Sequence, residues 1–296
     1  MGKQLTIALL AWGLFGGAYA QIKKQFTVES PAECKDIKLS LRAKTGNCYI
    51  RPSQTTDILN IYSNQDLEEY AHSFQNEVRE GTCFVRLALE QEGQKGVGKM
   101  ISYQVFGGEE KIDDKLWKVY LTDTKPYSLD LDYGLGLANV DLSGLAISKL
   151  KINTGSADVN VSYSSGLENK VVMDTFYVKV DVGSLNVRQL HLSKSKIVLA
   201  DVGFGNMMLD FSEKPIINNH VMGSVGAGNL VILLPSSEVP VLVKINESWL
   251  CSVNLSKSLT RIGENTFANA AYERNPKNAL TFDLDVSLGK IIFKEK

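Results

Sequence analysis

Between residues 134 and 232 the chain writes one short phrase five times: Gly, two mostly small residues, Asn or Asp, then an aliphatic residue. The copies are Gly136-Leu-Ala-Asn139-Val140, Gly155-Ser-Ala-Asp158-Val159, Gly183-Ser-Leu-Asn186-Val187, Gly203-Phe-Gly-Asn206-Met207 and Gly226-Ala-Gly-Asn229-Leu230. Their glycines lie 19, 28, 20 and 23 residues apart. A short recurring period, with a turn residue and an apolar alternation in each copy, predicts stacked coils rather than one ordinary sheet.

In such a stack Gly serves the corner, where the backbone needs φ > 0 or a close approach. Past the corner, period-two alternation sends Val140 and Leu142, Val159 and Val161, Met207 and Leu209, Leu230 and Ile232 inward. Stacking the copies predicts a column of Asn139, Asp158, Asn186, Asn206 and Asn229, with side-chain amides bonded from coil to coil. A second column is expected two residues before the glycines: Asn153, Asp181, Asp201 and Ser224. It would place Asp181 and Asp201 one coil apart, as solvated turn carboxylates or as a weak cation site. The dense Asp spacing of calcium-binding β-rolls is missing, and no other metal or cofactor site is expected.

Around the repeats the chain divides into three further stretches. Residues 21–62 read as the first solenoid strands or an N-terminal cap, with alternation through Ile37, Leu39, Leu41 and Thr45-Gly46-Asn47-Cys48-Tyr49-Ile50. Residues 63–118 read as an insertion or cap. Leu67, Tyr70, Ala71, Phe74 and Val78 fall on helical spacing, with Asn64 or Ser63 as N-cap and Gly81 as the stop. A β-hairpin, Cys83–Leu87 against Ile101–Val105 across the turn 92–98, completes the segment. Residues 119–296 form the solenoid, and Phe282 to Phe293, with Gly289 but no Asn, is expected as its terminal capping coil.

Residues 1–20 have the pattern of a secretory signal: Lys3, an apolar run from Leu5 to Phe15, and Ala18-Tyr-Ala20 before a cleavage point at Gln21. The expected location is the periplasm or cell surface. A net charge of −1, with 22% charged and 44% hydrophobic residues, describes a globular chain with no general attraction to nucleic acid. A membrane is expected to be met only through a partner. In an oxidising compartment a disulfide can persist. One bridge is expected among Cys34, Cys48 and Cys83, with Cys48–Cys83 ahead because both cysteines follow a Gly-x dipeptide. Cys251 is expected unpaired, and four free thiols remain the alternative.

Catalytic constellations are thin. His72, His191 and His220 are isolated in sequence, and no nucleophile-elbow, zinc-protease or phosphate-loop motif occurs. Asp130 and Asp132 share a strand face and read as outward residues. Tyr133, Tyr163, Phe176 and Tyr177 are candidates for the exposed aromatics that a glycan surface would need.

The run Leu129-Asp-Leu-Asp-Tyr133 through Val161, the later Gly-Asn copies and the ending Phe282–Phe293 resemble the toastrack, or "putative-adhesin", domains of bacterial envelope proteins, LiaF-like stress-response proteins among them. The resemblance covers about residues 125–296, with 37–62 as a second stretch. It implies an all-β, single-stranded-type β-solenoid with an N-terminal β-rich cap containing one short helix. It also implies an exported, non-catalytic interaction or scaffold module, with envelope stress signalling as one setting and no catalytic residues to carry over. The expected partner is an envelope protein or a cell-surface glycan. A glycan-binding adhesin is the alternative, followed by a carbohydrate-active β-helix enzyme. The insertion of about 55 residues and the extra cysteines depart from the family pattern.

Overall fold

The computed structural model describes residues 22–67, 71–89 and 115–295. The signal-like residues 1–20, the cleavage point at Gln21, Tyr70 of the expected helix and the expected strand Ile101–Val105 lie outside these. Strand is the main element of the described residues. The chain begins with β1 (Lys23–Val28), β2 (Asp36–Ser53), β3 (Leu59–Ser63), β4 (His72–Arg79), β5 (Thr82–Leu89), β6 (Leu116–Thr122) and β7 (Pro126–Asp141). Paired strands follow: β8 (Ala146–Thr154) with β9 (Asp158–Ser162), then β10 (Met173–Val180) with β11 (Ser184–Val187). Next come β12 (Ser195–Val202) with β13 (Asn206–Asp210) and β14 (His220–Val225) with β15 (Asn229–Leu234). The end comprises β16 (Val241–Glu247), β17 (Ser252–Asn254), β18 (Thr260–Gly263), β19 (Thr266–Ala268), the short helix α1 (Ala270–Arg274), β20 (Leu280–Val286) and β21 (Lys290–Glu295).

Each coil gives one strand to each of two parallel stacks, and a corner joins them in every coil but β5–β6, whose connection lies outside the described residues. In the first stack, β5 lies on the start of β2, then come the start of β7, β8, β10, β12, β14, β20 and β16. The second runs β6, the end of β2, the end of β7, β9, β11, β13, β15, β21 and β17. β2 and β7 pass through the corner unbroken, with Gly46 and Gly136 paired there at φ of 102° and 117°. Alternate residues of every coil enter one continuous core. The expected inward set, Val140 to Ile232, is buried throughout. Phe282 and Phe293 of the β20–β21 coil and Phe211, just after β13, pack edge to face in that core, with centroids 5.7 and 5.8 Å apart.

Chain order and spatial order part company at both ends. The coil of β20 and β21, expected as the terminal cap, lies inside the stack between the β14–β15 coil and the β16–β17 coil. The actual cover at that end is β19, antiparallel on β16, with β18 beyond it. At the other end, segment 63–118 contributes the outermost coil itself, β5 and β6. Its edges are covered by antiparallel β4 and β3, and β1 pairs with β3. Unpaired strand edges invite association, so both ends are finished with reversed strands.

Where a helix is expected over Leu67–Val78, the chain is strand β4 from His72 onward. Phe74 and Val78 are four residues apart, a spacing that puts them on one face in a helix and equally in a strand. Glu80 and Gly81, both at positive φ (50° and 81°), form a tight turn that folds β4 back onto the edge of β5. Phe74 then stacks on Phe26 of β1 at 4.7 Å.

The disulfide joins Cys34, rather than Cys48, to Cys83, with Cα atoms 5.6 Å apart. Parallel pairing decides this: β2 and β5 start in register at Asp36 and Thr82, which brings Cys34 beside Cys83. Cys48 lies past the corner, next to Trp117 and Ala138 on the second stack. Its burial pushes the thiol up to about 12.

The expected Asn column also divides. Asp158 stands in line with Ser184, Asn206 and Asn229, whereas Asn139 and Asn186 line up with Asn160. The third copy is displaced by two residues. Gly183 occupies the close-approach position that Ala157, Gly205, Gly228 and Gly289 hold in other coils, and Asp181 takes the place of Gly155, Gly203 and Gly226.

Candidate ligand-binding face

The outer face of the second stack changes character along its length. At the N-terminal end it carries large polar and aromatic side chains, one pair from each strand. β3 presents Asn60 and Tyr62, β6 Lys118 and Tyr120, and β2 Tyr49 and Arg51. The face continues through Asn139 and Asp141 of β7, Asn160 and Ser162 of β9, and Asn186 with the following Arg188. Each points outward because its neighbours are core: Cys48 and Ile50, Val119 and Leu121, Val159 and Val161 are all buried.

Register assembles these residues into two rows. Lys118, Tyr49, Asn139, Asn160 and Asn186 form one, and Tyr120 stands beside Arg51 in the other. Antiparallel β3 sets Tyr62 against Lys118 and Asn60 against Tyr120. The Tyr62 and Tyr120 rings meet edge to face, 5.6 Å apart at 89°. Between the rows run adjoining depressions of about 430, 300 and 630 Å³. The first two share Lys118 and Tyr120, and the last two share Tyr49 and Arg51, so they form one trough.

The trough's polar groups are held in place from within. Asn60 donates to Asp57 Oδ2 at 3.1 Å and accepts from Thr27 Oγ1 at 3.1 Å. Asn186 reaches Asn160 Oδ1 at 3.4 Å. Burial alone would raise the Asp141 carboxyl, but donors from Ser143 and Ser164 outweigh it and hold the group below the usual aspartate value. Those four donors, including Ser143 Oγ at 2.5 Å, occupy the carboxylate and keep it ionised; against its single negative charge the face carries three cations, Lys118, Arg51 and Arg188. Aromatic rings beside amides and guanidinium groups can stack on an apolar face of a ligand while bonding its hydroxyls or anionic groups.

Other candidates read from the sequence fall elsewhere. Tyr133, Tyr163 and Phe176 are core residues. Tyr177 is half-buried; burial first, then the carboxylates of Asp201 and Asp181, push its hydroxyl up to about 12. Asp181 and Asp201 are not stacked neighbours, because Lys179 stands beside Asp201 in the column. Lys179 Nζ lies 3.0 Å from Asp181 Oδ1, while Asp201 accepts from Tyr177 at 2.9 Å and Ser224 at 2.7 Å. Asp130 points outward, 3.7 Å from Lys151. His72 lies on β4 near Phe26, and His220 on β14 is 2.7 Å from Thr281 Oγ1. Among the described residues no three His, Cys, Asp or Glu side chains converge as metal ligands, and no helix is long and apolar enough to cross a membrane.

Tyr49, Tyr62, Tyr120 and Arg51 were not candidates on sequence grounds. Alternation along β2 marks Tyr49 and Arg51 as outward. Only the stacking of β6 and β3 on that strand brings the other two tyrosines beside them.

The profile of a family described as the N-terminal domain of toast_rack, DUF2154, matches residues 17–188. That stretch contains every residue of the trough. No curated protein matches the chain. A solved structure described as a "putative cell adhesion protein" from Clostridium sporogenes ATCC 15579 is 17% identical, with a TM-score of 0.43, covering 93% of this chain and 100% of its own. Another, described as a "putative lipid binding protein" from Parabacteroides distasonis ATCC 8503, is 10% identical, with a TM-score of 0.30, covering 93% of this chain and 94% of its own.

Proposed function

The chain belongs to the toast_rack N-terminal domain family, and on that premise we propose that it is an exported, non-catalytic module of the cell envelope that holds a surface glycan along the trough. The signal-like pattern of residues 1–20 supports export. The observation that carries the glycan reading is the convergence of Tyr49, Tyr62 and Tyr120 with Arg51, Lys118 and the Asn139–Asn160–Asn186 row on one rigid face. Sugar rings offer apolar C–H faces to aromatic side chains and hydroxyls to amides and guanidinium groups. The three cations favour a glycan bearing carboxylates or phosphates. A rigid scaffold fits this role because its side chains lose little freedom when the ligand arrives.

The test is binding of the purified protein to polysaccharide extracted from the producing cell's envelope, with Tyr49→Ala, Tyr120→Ala and Arg51→Ala for comparison. Each variant should weaken binding about five- to tenfold, the scale of one lost aromatic or charge-assisted contact. Unchanged binding by all three would remove the trough from the reading. Capture of a single membrane protein, with no glycan, would turn the function toward envelope signalling.

A further inference from the structure

The corner opposite the connecting loops carries a feature that the glycan trough does not use. In the C-terminal half each corner has a residue at its apex, and in successive coils these are Val182, Phe204, Ala227, Leu288 and Trp249. The stacking is set by the backbone. The amides of Val182, Phe204, Ala227 and Leu288 bond to the carbonyls of Gly155, Asp181, Gly203 and Gly226 in the preceding coil, and Ser248 bonds to Val286. At a coil spacing of about 4.8 Å the apices form a straight line about 19 Å long. They are open to solvent: Val182 60%, Phe204 77%, Leu288 59% and Trp249 89% exposed, with Leu250 at 50% in the same corner as Trp249. Gly183, Gly205, Gly228 and Gly289 follow the apices of their corners, so the apolar side chains stand clear of their flanks.

We propose that this ridge inserts into the interfacial layer of a lipid bilayer with electrically neutral headgroups. A contiguous exposed apolar array marks a contact surface rather than scattered surface residues. Its shape selects the contact. The ridge is convex and one side chain wide, so a folded partner would need a matching trough along its whole length. A second copy would set convex against convex, and six side chains fall far short of the roughly 20–30 residues each partner gives to a stable interface. A lipid interface deforms around a convex apolar edge and favours Trp at its polar boundary. The flanking charges select the lipid. Lys179, Asp201 and Asp285 flank one side, Asp158 and Lys290 the other, and Asp181 lies in a corner. Carboxylates outnumber cations there, so anionic headgroups gain nothing. The balanced charge of the chain gave no sign of direct membrane contact, because the ridge comes into being only when five coils align.

The experiment uses protein recovered after export, wild type and the double variant Phe204→Ser/Trp249→Ser, mixed with phosphatidylcholine vesicles. Wild type should co-sediment, and its tryptophan emission should shift to the blue. Trp249 is the reporter, because Trp117 is fully buried in the core. The double variant should partition at least tenfold less with an unchanged far-ultraviolet circular dichroism spectrum. Adding phosphatidylserine or salt should not strengthen binding. Absence of binding to the neutral vesicles, equal binding by the double variant, or binding only to anionic vesicles would overturn the proposal. So would a dimer in light scattering that the double variant dissolves, since the ridge would then be an interface between copies. Loss of glycan binding leaves this result untouched, because the trough is on a different face.

Discussion

Ser184 donates its hydroxyl to Asp158 Oδ1 at 2.5 Å, and this contact marks Ser184, not Asn186, as the residue stacked on Asp158. The two-residue displacement follows from backbone packing at the preceding position. A Cβ on Gly183 would run into the carbonyl oxygen of Ala157, and one on Gly205 into that of Gly183. These glycines are there for close approach, not for left-handed φ.

Replacing Gly205 with Ala should therefore destabilise the protein by about 2–3 kcal/mol, since the obstacle is backbone that cannot yield. Gly155→Ala is the control: its nearest obstacle is 3.3 Å away, and its cost should stay below about 1 kcal/mol. Chemical denaturation of both variants measures the difference. Equal stabilities would show that the corner column is looser than described.

Asn169 and Asn186 should respond differently to replacement by Ala. Buried Asn169 accepts from the Ile147 amide at 2.8 Å and donates to the Ile147 and Val171 carbonyls at 2.7 and 2.8 Å. Removing it strands three backbone groups and should cost about 2–4 kcal/mol. Asn186 makes one long ladder bond at a half-buried site, and its loss should cost under about 1 kcal/mol.

The cysteines allow a direct count. Denatured, unreduced protein should titrate two thiols, Cys48 and Cys251. In the native state only half-buried Cys251 should react with an alkylating agent near neutral pH, because the Cys48 thiol is buried and stays protonated. Four thiols in the denatured protein would refute the Cys34–Cys83 bridge. Replacing both of its cysteines with Ala should cost about 2–5 kcal/mol.

Asp141 gives a pH signature. Its folded carboxyl is held below the ordinary value of about 4, so its contribution is fully present above that value and lost as pH falls through the folded one. The group is only half-buried, and solvent screening limits the effect to about 0.5–1 kcal/mol. Asp141→Asn should be less stable than wild type at pH 7, and the gap should close by pH 2–3. A gap that persists at low pH would mean that the carboxylate charge is not what Ser143 and Ser164 stabilise.

The sequence by itself determined what is local. Alternation fixed which residues of each coil face the core, because a pleat repeats every two residues. Gly136 and its successors placed the corners, because few residues tolerate the conformation or the close approach required there. The all-β solenoid was legible on those grounds. Spacing could not separate helix from strand at Phe74 and Val78, since four residues satisfy both periods. Tertiary structure alone decided the phase between coils, where a contact between Gly183 and Ala157 overrides the visible Gly-x-x-Asn match. It also decided which coil lies outermost and which cysteine meets Cys83, because edge covering and parallel register join residues remote in sequence. Both proposed surfaces belong to this second category. Tyr49 meets Tyr120, and Phe204 lines up with Leu288 and Trp249, only through stacking, and no local pattern in the chain encodes those neighbours.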